Sequence, residues 1–305
     1  MHVEPKPRIN AMAVISARLE ATKRLPSIPA ILTPLLQHLQ QPPDQQDINR
    51  LIDLISQDNS MAAQCLQMAN SPLFGRMKAV ETVRGAVLSL GIRRMQDIAM
   101  SCCLLKLSPS ADCPVDVTVF WEHSFACALL AQRFAQKIGY PNPEAAYLAG
   151  LLHDIGIIVN LWMLPEEFSA AINQAHASHV PLHEAELDIL GLTHCESGEL
   201  LAERWKLAPE MIEVIRHHHH PESAREHRAL VAVVAVNDLM CRMRRLGHGY
   251  QEEYLIDFLE QPAFAILLAQ FPNLKKFDWA RFTFELESHV EEVQQLVTLV
   301  YKAPK

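Results

Sequence analysis

Two acidic residues stand alone in strongly apolar parts of the sequence. Asp154 is the only formal charge within residues 147–159, and Asp238 is the only one within residues 229–241. A buried carboxylate is costly unless a hydrogen bond, a counter-charge or a metal ion compensates it. Because neither segment contains Arg or Lys, we expect the two carboxylates to share a cation inside the folded protein.

Histidine side chains are available to complete such a site, because neutral imidazole is a common ligand of transition metals. His123 lies on the apolar face of a predicted helix and therefore points inward. His153 directly precedes Asp154, and His194 and the run His217–His220 follow later. Two simpler roles stay open: His153 and Asp154 could form only a hydrogen-bonded pair, and His194 could merely support a helix start.

Short motifs of a characteristic order run along most of the chain. They are Leu25–Pro29, Ile55–Asp58, Met68–Pro72, Ala86–Gly91, Trp121–Ser124, His153–Gly156, His194 with Gly198, Trp205, Ile215 and Pro221. Each is weak alone, but together they are specific, and their order resembles the HDOD signalling branch of the HD superfamily, which is named for its adjacent His-Asp pair. The resemblance extends over residues 21–241.

The resemblance implies a metal centre of histidine and aspartate ligands. An Asp154 carboxylate would bridge two metal ions, and it would lie near the attacking water if the protein is an enzyme. Such a shell suits one or two divalent transition metal ions, with iron or manganese expected and zinc as a further option. From the run His217–His220 we select His218 and His219 as ligands, with a tolerance of one position in the register. The implied ligands are His123, His153, Asp154, His194, His218, His219 and Asp238.

The chain departs from the branch of the superfamily that hydrolyses cyclic dinucleotides. Ile157 follows the His-Asp-Ile-Gly motif where that branch has a phosphate-binding lysine, and Val119 stands where a glutamate helps to hold a third metal. A Gly-Tyr-Pro segment after the histidine pair is also missing. We therefore disfavour cyclic-di-GMP hydrolysis.

Three functions are compatible with this pattern. The first is a signal-transduction module of the HDOD type, whose metal serves structure or sensing and whose partner is another signalling protein. The second is a metal-dependent phosphohydrolase that acts on a nucleotide or another phosphorylated small molecule through a metal-bound water. The third is a di-iron redox or oxygen sensor.

The elements that position these residues are predicted to be helices throughout. The chain has 305 residues, half of them hydrophobic, and only 10 glycines, which favours an all-α protein. With the resemblance, we expect a multi-helical HD-like bundle with an N-terminal helical lobe. The expected divisions are an extension (1–20), the N-terminal lobe (21–112), the metal-binding lobe (113–245) and a C-terminal helical extension (246–305), with the boundary of the two lobes at 108–114.

Local signals place individual helices. Asp47 is expected to cap one helix, and a second should stop before Pro72 because a residue preceding proline leaves the α region. Thr193 and Glu196 form the pattern of a capping box. Other helices are predicted at 82–90, 144–164, 182–190 and 285–301. The helix at 144–164 should carry His153 and Asp154, and a further helix should extend from Pro209 into the histidine run.

The composition excludes several other classes of protein. Twenty-seven Lys and Arg residues against 35 Asp and Glu give a net charge of −8, so nucleic acid is an unexpected partner. No secretory signal is recognisable, and the longest apolar stretches fall short of the ~18 residues that cross a membrane. Seven cysteines without metal-site spacing read as reduced thiols. We expect a cytoplasmic protein without membrane contacts.

Overall fold

A computed structural model describes residues 11–21, 31–39, 41, 45–71, 79–107, 116–244, 246–247, 260–282, 284, 293–294 and 297. These residues form α-helices, short 3-10 turns and loops, and no β-strand occurs among them, which confirms the all-α prediction. In chain order the helices are α1 Ala11–Ala21, α2 Leu32–Leu39, α3 Ile48–Ser56, α4 Asn59–Ala69, α5 Val83–Leu90, α6 Ile92–Leu105, α7 Val117–Ile138, α8 Pro143–Leu152, α9 Ile155–Met163, α10 Pro165–Ser178, α11 Leu182–Ile189, α12 His194–Arg204, α13 Pro209–His217, α14 Arg228–Met243 and α15 Pro262–Gln270.

The predicted cap of α3 and the predicted extent of α5 are confirmed. The Asp47 carboxylate accepts a hydrogen bond from the backbone N–H of Asn49 at the start of α3. The Thr82 hydroxyl accepts one from Gly85 at the start of α5, which ends at Gly91 as expected. Such bonds satisfy backbone donors that a helix start leaves without an intrahelical partner.

Helix α7 is the central element of the later part of the chain. Its 22 residues pack along α8 on one side and α14 on another, while α9 packs against α12. The buried face of α7 includes Trp121, His123 and Phe134, so the predicted inward position of His123 is confirmed. Three long buried helices thus converge on the region in which the chemistry-bearing residues lie.

The single helix predicted for 144–164 is wrong. The chain instead forms α8 and α9, and a two-residue turn at His153 and Asp154 separates them. Asp154 has φ −98° and ψ 12°, outside the helical region, and its carboxylate does not cap α9. Hydrophobic periodicity could not show the break, because both helices are apolar on nearly every side.

The same segment, Pro143–Met163, is the one described stretch long and apolar enough to cross a membrane by length and composition. Residues in the protein interior make up 89% of its most apolar window. Because the turn at Asp154 interrupts it as well, we interpret this segment as the hydrophobic core of the bundle.

Two sequence predictions fall outside the described part of the chain. The expected boundary at 108–114 is one of them. The other is the C-terminal helix at 285–301, of which only positions 293, 294 and 297 are described, with Val293 and Val297 buried.

Candidate metal centre

Five parts of the chain bring the seven candidate ligands together at one buried place. Helix α7 carries His123, the turn between α8 and α9 carries the His-Asp pair, His194 is the first residue of α12, and Asp238 lies in the middle of α14. His218 and His219 directly follow α13. All seven side chains are buried, with between 0 and 6% of their surface exposed.

Asp154 lies between two groups of ligand atoms. One carboxylate oxygen, Oδ2, is 3.4 Å from His123 Nε2 and 3.3 Å from His153 Nε2. The other oxygen, Oδ1, is 3.2 Å from the Nε2 atoms of both His194 and His218. The two oxygens therefore face two different sets of imidazoles, and together these groups could hold a metal ion.

The separations between ring nitrogens fit a shared cation. The Nε2 atoms of His123 and His153 are 3.2 Å apart, and His194 Nε2 lies 3.4 Å from His218 Nε2 and 3.1 Å from His219 Nε2. Two ligand nitrogens that are each about 2.1 Å from one metal ion lie about 3.0–3.4 Å apart in octahedral or tetrahedral geometry. On the first side Asp238 Oδ1 completes the group, 3.2 Å from His123 Nε2.

Hydrogen bonds fix which nitrogen of each ring faces the centre. His153 Nδ1 donates to the Gly150 carbonyl oxygen at 2.7 Å, and His123 Nδ1 donates to that of Leu246. His218 Nδ1 lies within 3.2 Å of two carbonyl oxygens of α13. Because a carbonyl can only accept, Nδ1 carries the proton and the lone pair of each neutral ring is on Nε2, directed into the centre.

A carboxylate performs the same task for the fourth ring. Glu186 is fully buried on α11, and its Oε2 atom accepts from His194 Nδ1 at 2.6 Å and from the His194 backbone N–H at 2.8 Å. Its other oxygen accepts from Asn160 at 3.0 Å. Carboxylate–histidine pairs of this kind orient a ligating ring and make it more basic.

The electrostatics without a bound cation show what such a cation would replace. Burial lowers the pKa of His123, but the nearby Asp154 and Asp238 carboxylates outweigh this effect and raise it well above its usual range. Burial would raise the pKa of Asp154, yet His153 and His194 hold it well below its usual range. The carboxylates are thus ionised and require a compensating positive charge. Buried Asp238 Oδ1, which has no hydrogen-bond partner of acceptable geometry among the described residues, makes the same demand. Nitrogen and carboxylate ligands in this number suit a divalent transition metal.

The sequence profile of the HDOD domain matches residues 25–221, well over half of the chain. The chain belongs to the HDOD domain family. It is similar to the crystal structure of an HDOD protein of unknown function from Geobacter sulfurreducens, with 27% identity and a TM-score of 0.82 over 95% of this chain and 98% of that one.

Two further comparisons extend this result. A structure from Shewanella amazonensis, named as a candidate phosphohydrolase, shares the fold at 22% identity with a TM-score of 0.72 over 94% of this chain and 98% of that one. An uncharacterised protein of Treponema pallidum is 27% identical over 220 residues, or 72% of this chain and 42% of that protein. The HDOD chain therefore spans about two fifths of the length of the curated relative that it matches.

The glycine of the HDOD chain's His-Asp-Ile-Gly motif has a steric reason. Helices α9 and α12 cross so closely that a Cβ atom on Gly156 would overlap the His194 carbonyl oxygen and come within 2.7 Å of the Gly198 nitrogen. A Cβ on Gly198 would in turn lie 2.8 Å from Ile215. This crossing holds the first residue of α12 beside Asp154, so the two glycines permit the approach of His194 to the centre.

One expectation about the acidic residues needs correction. The segment around Asp238 lacks Arg and Lys, but Arg242 lies one helical turn further along α14, and its Nη2 atom is 3.2 Å from Asp238 Oδ2. Asp238 is therefore partly neutralised by a guanidinium group. The signal was present in the sequence as an i, i+4 spacing, which places two residues on the same helix face.

Three other residues around the HDOD centre were missed. Glu186 occupies the apolar face of α11 with Leu182 and Ala185, and that position could have indicated a buried role. His183 stacks on His219 with ring centroids 4.1 Å apart. Cys195 was assigned as a simple core thiol, but its Sγ atom lies 3.9 Å from His218, and His218 and His194 outweigh burial to lower its pKa to about 6.

A small cavity connects the centre with the surface. Its volume is about 280 Å³, and its lining includes His218, His219, Asp238 and Arg242. The two histidines in this lining, His218 and His219, are those whose Nε2 atoms lie beside His194 Nε2. A water molecule or a small ligand can therefore reach the centre from that side.

Proposed function

We propose that this HDOD chain is a cytoplasmic signal-transduction module that holds a dinuclear transition-metal centre for structure or sensing. The carrying observation is that four histidines, each fixed by a hydrogen bond at Nδ1, direct their Nε2 atoms at the two oxygens of one carboxylate. The proposed ligands are His123, His153, Asp154, His194, His218, His219 and Asp238. Iron or manganese is the proposed metal, with zinc as a further option.

A regulatory role agrees with the surroundings of the centre. Ile157, which replaces a phosphate-binding lysine, is 3% exposed and belongs to the core of α9. Arg242, the cation that lines the entrance cavity, is already paired with Asp238. We therefore propose that the output is a contact with a signalling protein partner, with the N-terminal helices as the supporting surface.

Hydrolysis of a phosphorylated small molecule is the second candidate, and the entrance cavity favours it. A bound divalent cation supplies a more acidic water and offsets developing negative charge in phosphoester hydrolysis. In this function Asp154 and Asp238 would hold the cations, and Arg242 would lie beside the entering phosphate. Similar structures carry names of both kinds, since one from Marinobacter aquaeolei, at 21% identity, is named as a candidate signal transduction protein.

Elemental analysis of protein purified without added metal tests the centre. We expect one to two equivalents of a transition metal in the native chain and a loss of most of it in His153→Ala. His220→Ala is the matched control, because His220 belongs to the same histidine run but is exposed. Equal metal content in the native chain and His153→Ala, or no metal in either after reloading, would refute the proposal.

A second measurement separates the two functions. The metal-loaded protein is incubated with nucleotides, cyclic nucleotides and a generic phosphoester, and Asp154→Ala serves as the inactive reference. We expect no turnover above that reference. Turnover at ordinary enzymatic rates that disappears in Asp154→Ala would establish the phosphohydrolase, and an absorption spectrum with and without reductant would reveal a di-iron sensor.

A further inference from the structure

A second, larger cavity lies on the other side of the bundle. Its volume is about 610 Å³, and it is enclosed by α2 and α6 together with the first turns of α8 and α13. We call it the α6–α8 cavity. Small-molecule sites in proteins usually measure about 300–1,000 Å³.

The α6–α8 cavity is separate from the metal centre. None of the seven proposed ligands lines it. The first turn of α8 contributes Glu144, whereas Asp154 follows the opposite end of that helix, about 15 Å further along at 1.5 Å per residue. A ligand could therefore occupy the cavity without touching the metal site.

The walls combine an apolar surface with an excess of acidic groups. Leu36, Leu39, Met100, Leu148 and Met211 provide hydrocarbon on both sides. Asp97, Glu144 and Glu210 contribute carboxyl groups to the lining, and Arg93 is the one basic residue among the described residues that line it. The Arg93 guanidinium is 2.9 Å from Glu144, so this cation is already paired.

Asp97 is the buried acid of this cavity. Only 8% of the residue is exposed, and its carboxylate receives one long hydrogen bond of 3.3 Å from the Gln132 side chain. With so little compensation, ionisation of this buried carboxyl group is expensive, and a cation placed against it would offset that cost.

We propose that the α6–α8 cavity binds a small aliphatic amine, with Asp97 as its counter-charge and the leucine and methionine walls around its hydrocarbon part. An anionic ligand would find only the paired Arg93. A neutral ligand would leave the Asp97 carboxylate without a counter-charge. The amine satisfies the charge and the apolar surface together.

Calorimetric titration of the full, metal-loaded chain tests this assignment with three probes that share a four-carbon chain. Putrescine is dicationic, butanediol is neutral and succinate is dianionic. At about pH 8.5 the amine is cationic, and the Asp97 carboxyl, whose pKa burial raises to about 8, is largely ionised. We expect saturable binding of putrescine and none of the other two at the same concentration.

Three variants locate the site. Asp97→Asn has the same shape without the charge and should weaken putrescine binding at least about tenfold. Glu210→Gln, at a partly exposed wall position, should weaken it about two- to fivefold. Asp53→Asn on the exposed face of α3 is the matched control and should bind like the native chain.

The outcomes are decisive even if one variant folds poorly. Circular dichroism first establishes that Asp97→Asn is folded, and Glu210→Gln provides an independent test because a half-buried position tolerates substitution. Absence of saturable putrescine binding would overturn the proposal. So would equal binding of butanediol, or an unchanged putrescine affinity in the folded carboxyl variants.

Discussion

Replacement of Glu186 by glutamine probes the proposed centre without removing a ligand. The Glu186 carboxylate accepts two hydrogen bonds from His194, at 2.6 Å from Nδ1 and 2.8 Å from the backbone nitrogen, and a third from Asn160. Glutamine preserves the shape of the side chain but removes its negative charge and one acceptor. His194 Nδ1 would then face a neutral amide in place of the charged carboxylate that holds its proton and orients its ring.

The size of the effect follows from the position of Glu186 behind the ligand. Loss of a hydrogen-bonding partner of this type costs about 10–100-fold in metal affinity, or about 1.4–2.7 kcal/mol. Because Glu186 is fully buried, no water can replace the missing charge. We therefore expect a metal dissociation constant raised by one to two orders of magnitude, with His123, His153 and Asp154 still in place.

The assay is competition between apo protein and a chromogenic chelator for a divalent metal. Asp188→Asn is the matched control, because Asp188 lies on the same helix but is exposed and accepts a hydrogen bond from Gln174. An affinity of Glu186→Gln within twofold of the native value would refute the reasoning. An equal loss in Asp188→Asn would do so too, since it would show a general effect of charge on α11.

Three further predictions follow from other contacts. Gly156→Ala should destabilise the fold by more than about 3 kcal/mol in urea unfolding, because a Cβ at this position overlaps the backbone of α12. Gly247→Ala is the control and should change the free energy of unfolding little, because a Cβ there makes only ordinary contacts. Burial raises the pKa of Asp97 to about 8, so the folded chain keeps a proton that the unfolded chain has lost, and stability falls as pH rises from about 4 to 8. Between pH 5 and pH 8 the free energy of unfolding of Asp97→Asn should therefore rise by up to about 4 kcal/mol relative to that of the native chain. Parallel pH dependences of the two unfolding free energies would disprove this. Metal at 100 times its dissociation constant should stabilise the native protein by about 2.7 kcal/mol. Hydrogen exchange should then slow at α12 and α14 more than at α3–α5, which carry no proposed ligand. Uniform protection, or none, would contradict the proposed metal centre.

Much of the fold could be predicted because helix ends are signalled locally. Each of the capping residues Asp47, Thr82 and Thr193 bonds to a backbone group within three residues of its own position. The neighbouring sequence therefore suffices to recognise such a helix start. The break at Asp154 could not be predicted in this way. Its causes are long-range, since the turn aims two side chains at residues up to 85 positions away, as in the pair of His153 and Asp238.

The candidate site was predictable to the extent that its residues are unusual in sequence. Asp154 and Asp238 attract notice as isolated charges, and the histidines as a rare residue type in apolar helices. Glu186 is less conspicuous because Glu184 and Asp188 stand beside it on α11, and Arg242 because it lies just beyond the apolar segment 229–241 that draws attention to Asp238. Only the packing of α11 and the i, i+4 geometry of α14 show that they face inward.

Two of the buried acids in the described part of the molecule, Asp154 and Asp97, show how surroundings decide what a carboxyl group binds. Burial acts on both in the same direction and raises the pKa. Around Asp154 four imidazoles reverse the effect, so the group is ionised and its neighbours offer lone pairs, which together fit a metal ion. Around Asp97 one amide and distant arginines leave the pKa at about 8, and hydrocarbon rather than nitrogen ligands surrounds the group. A bare metal ion would find too few ligands there, whereas an organic cation would bring its own hydrocarbon to match the walls.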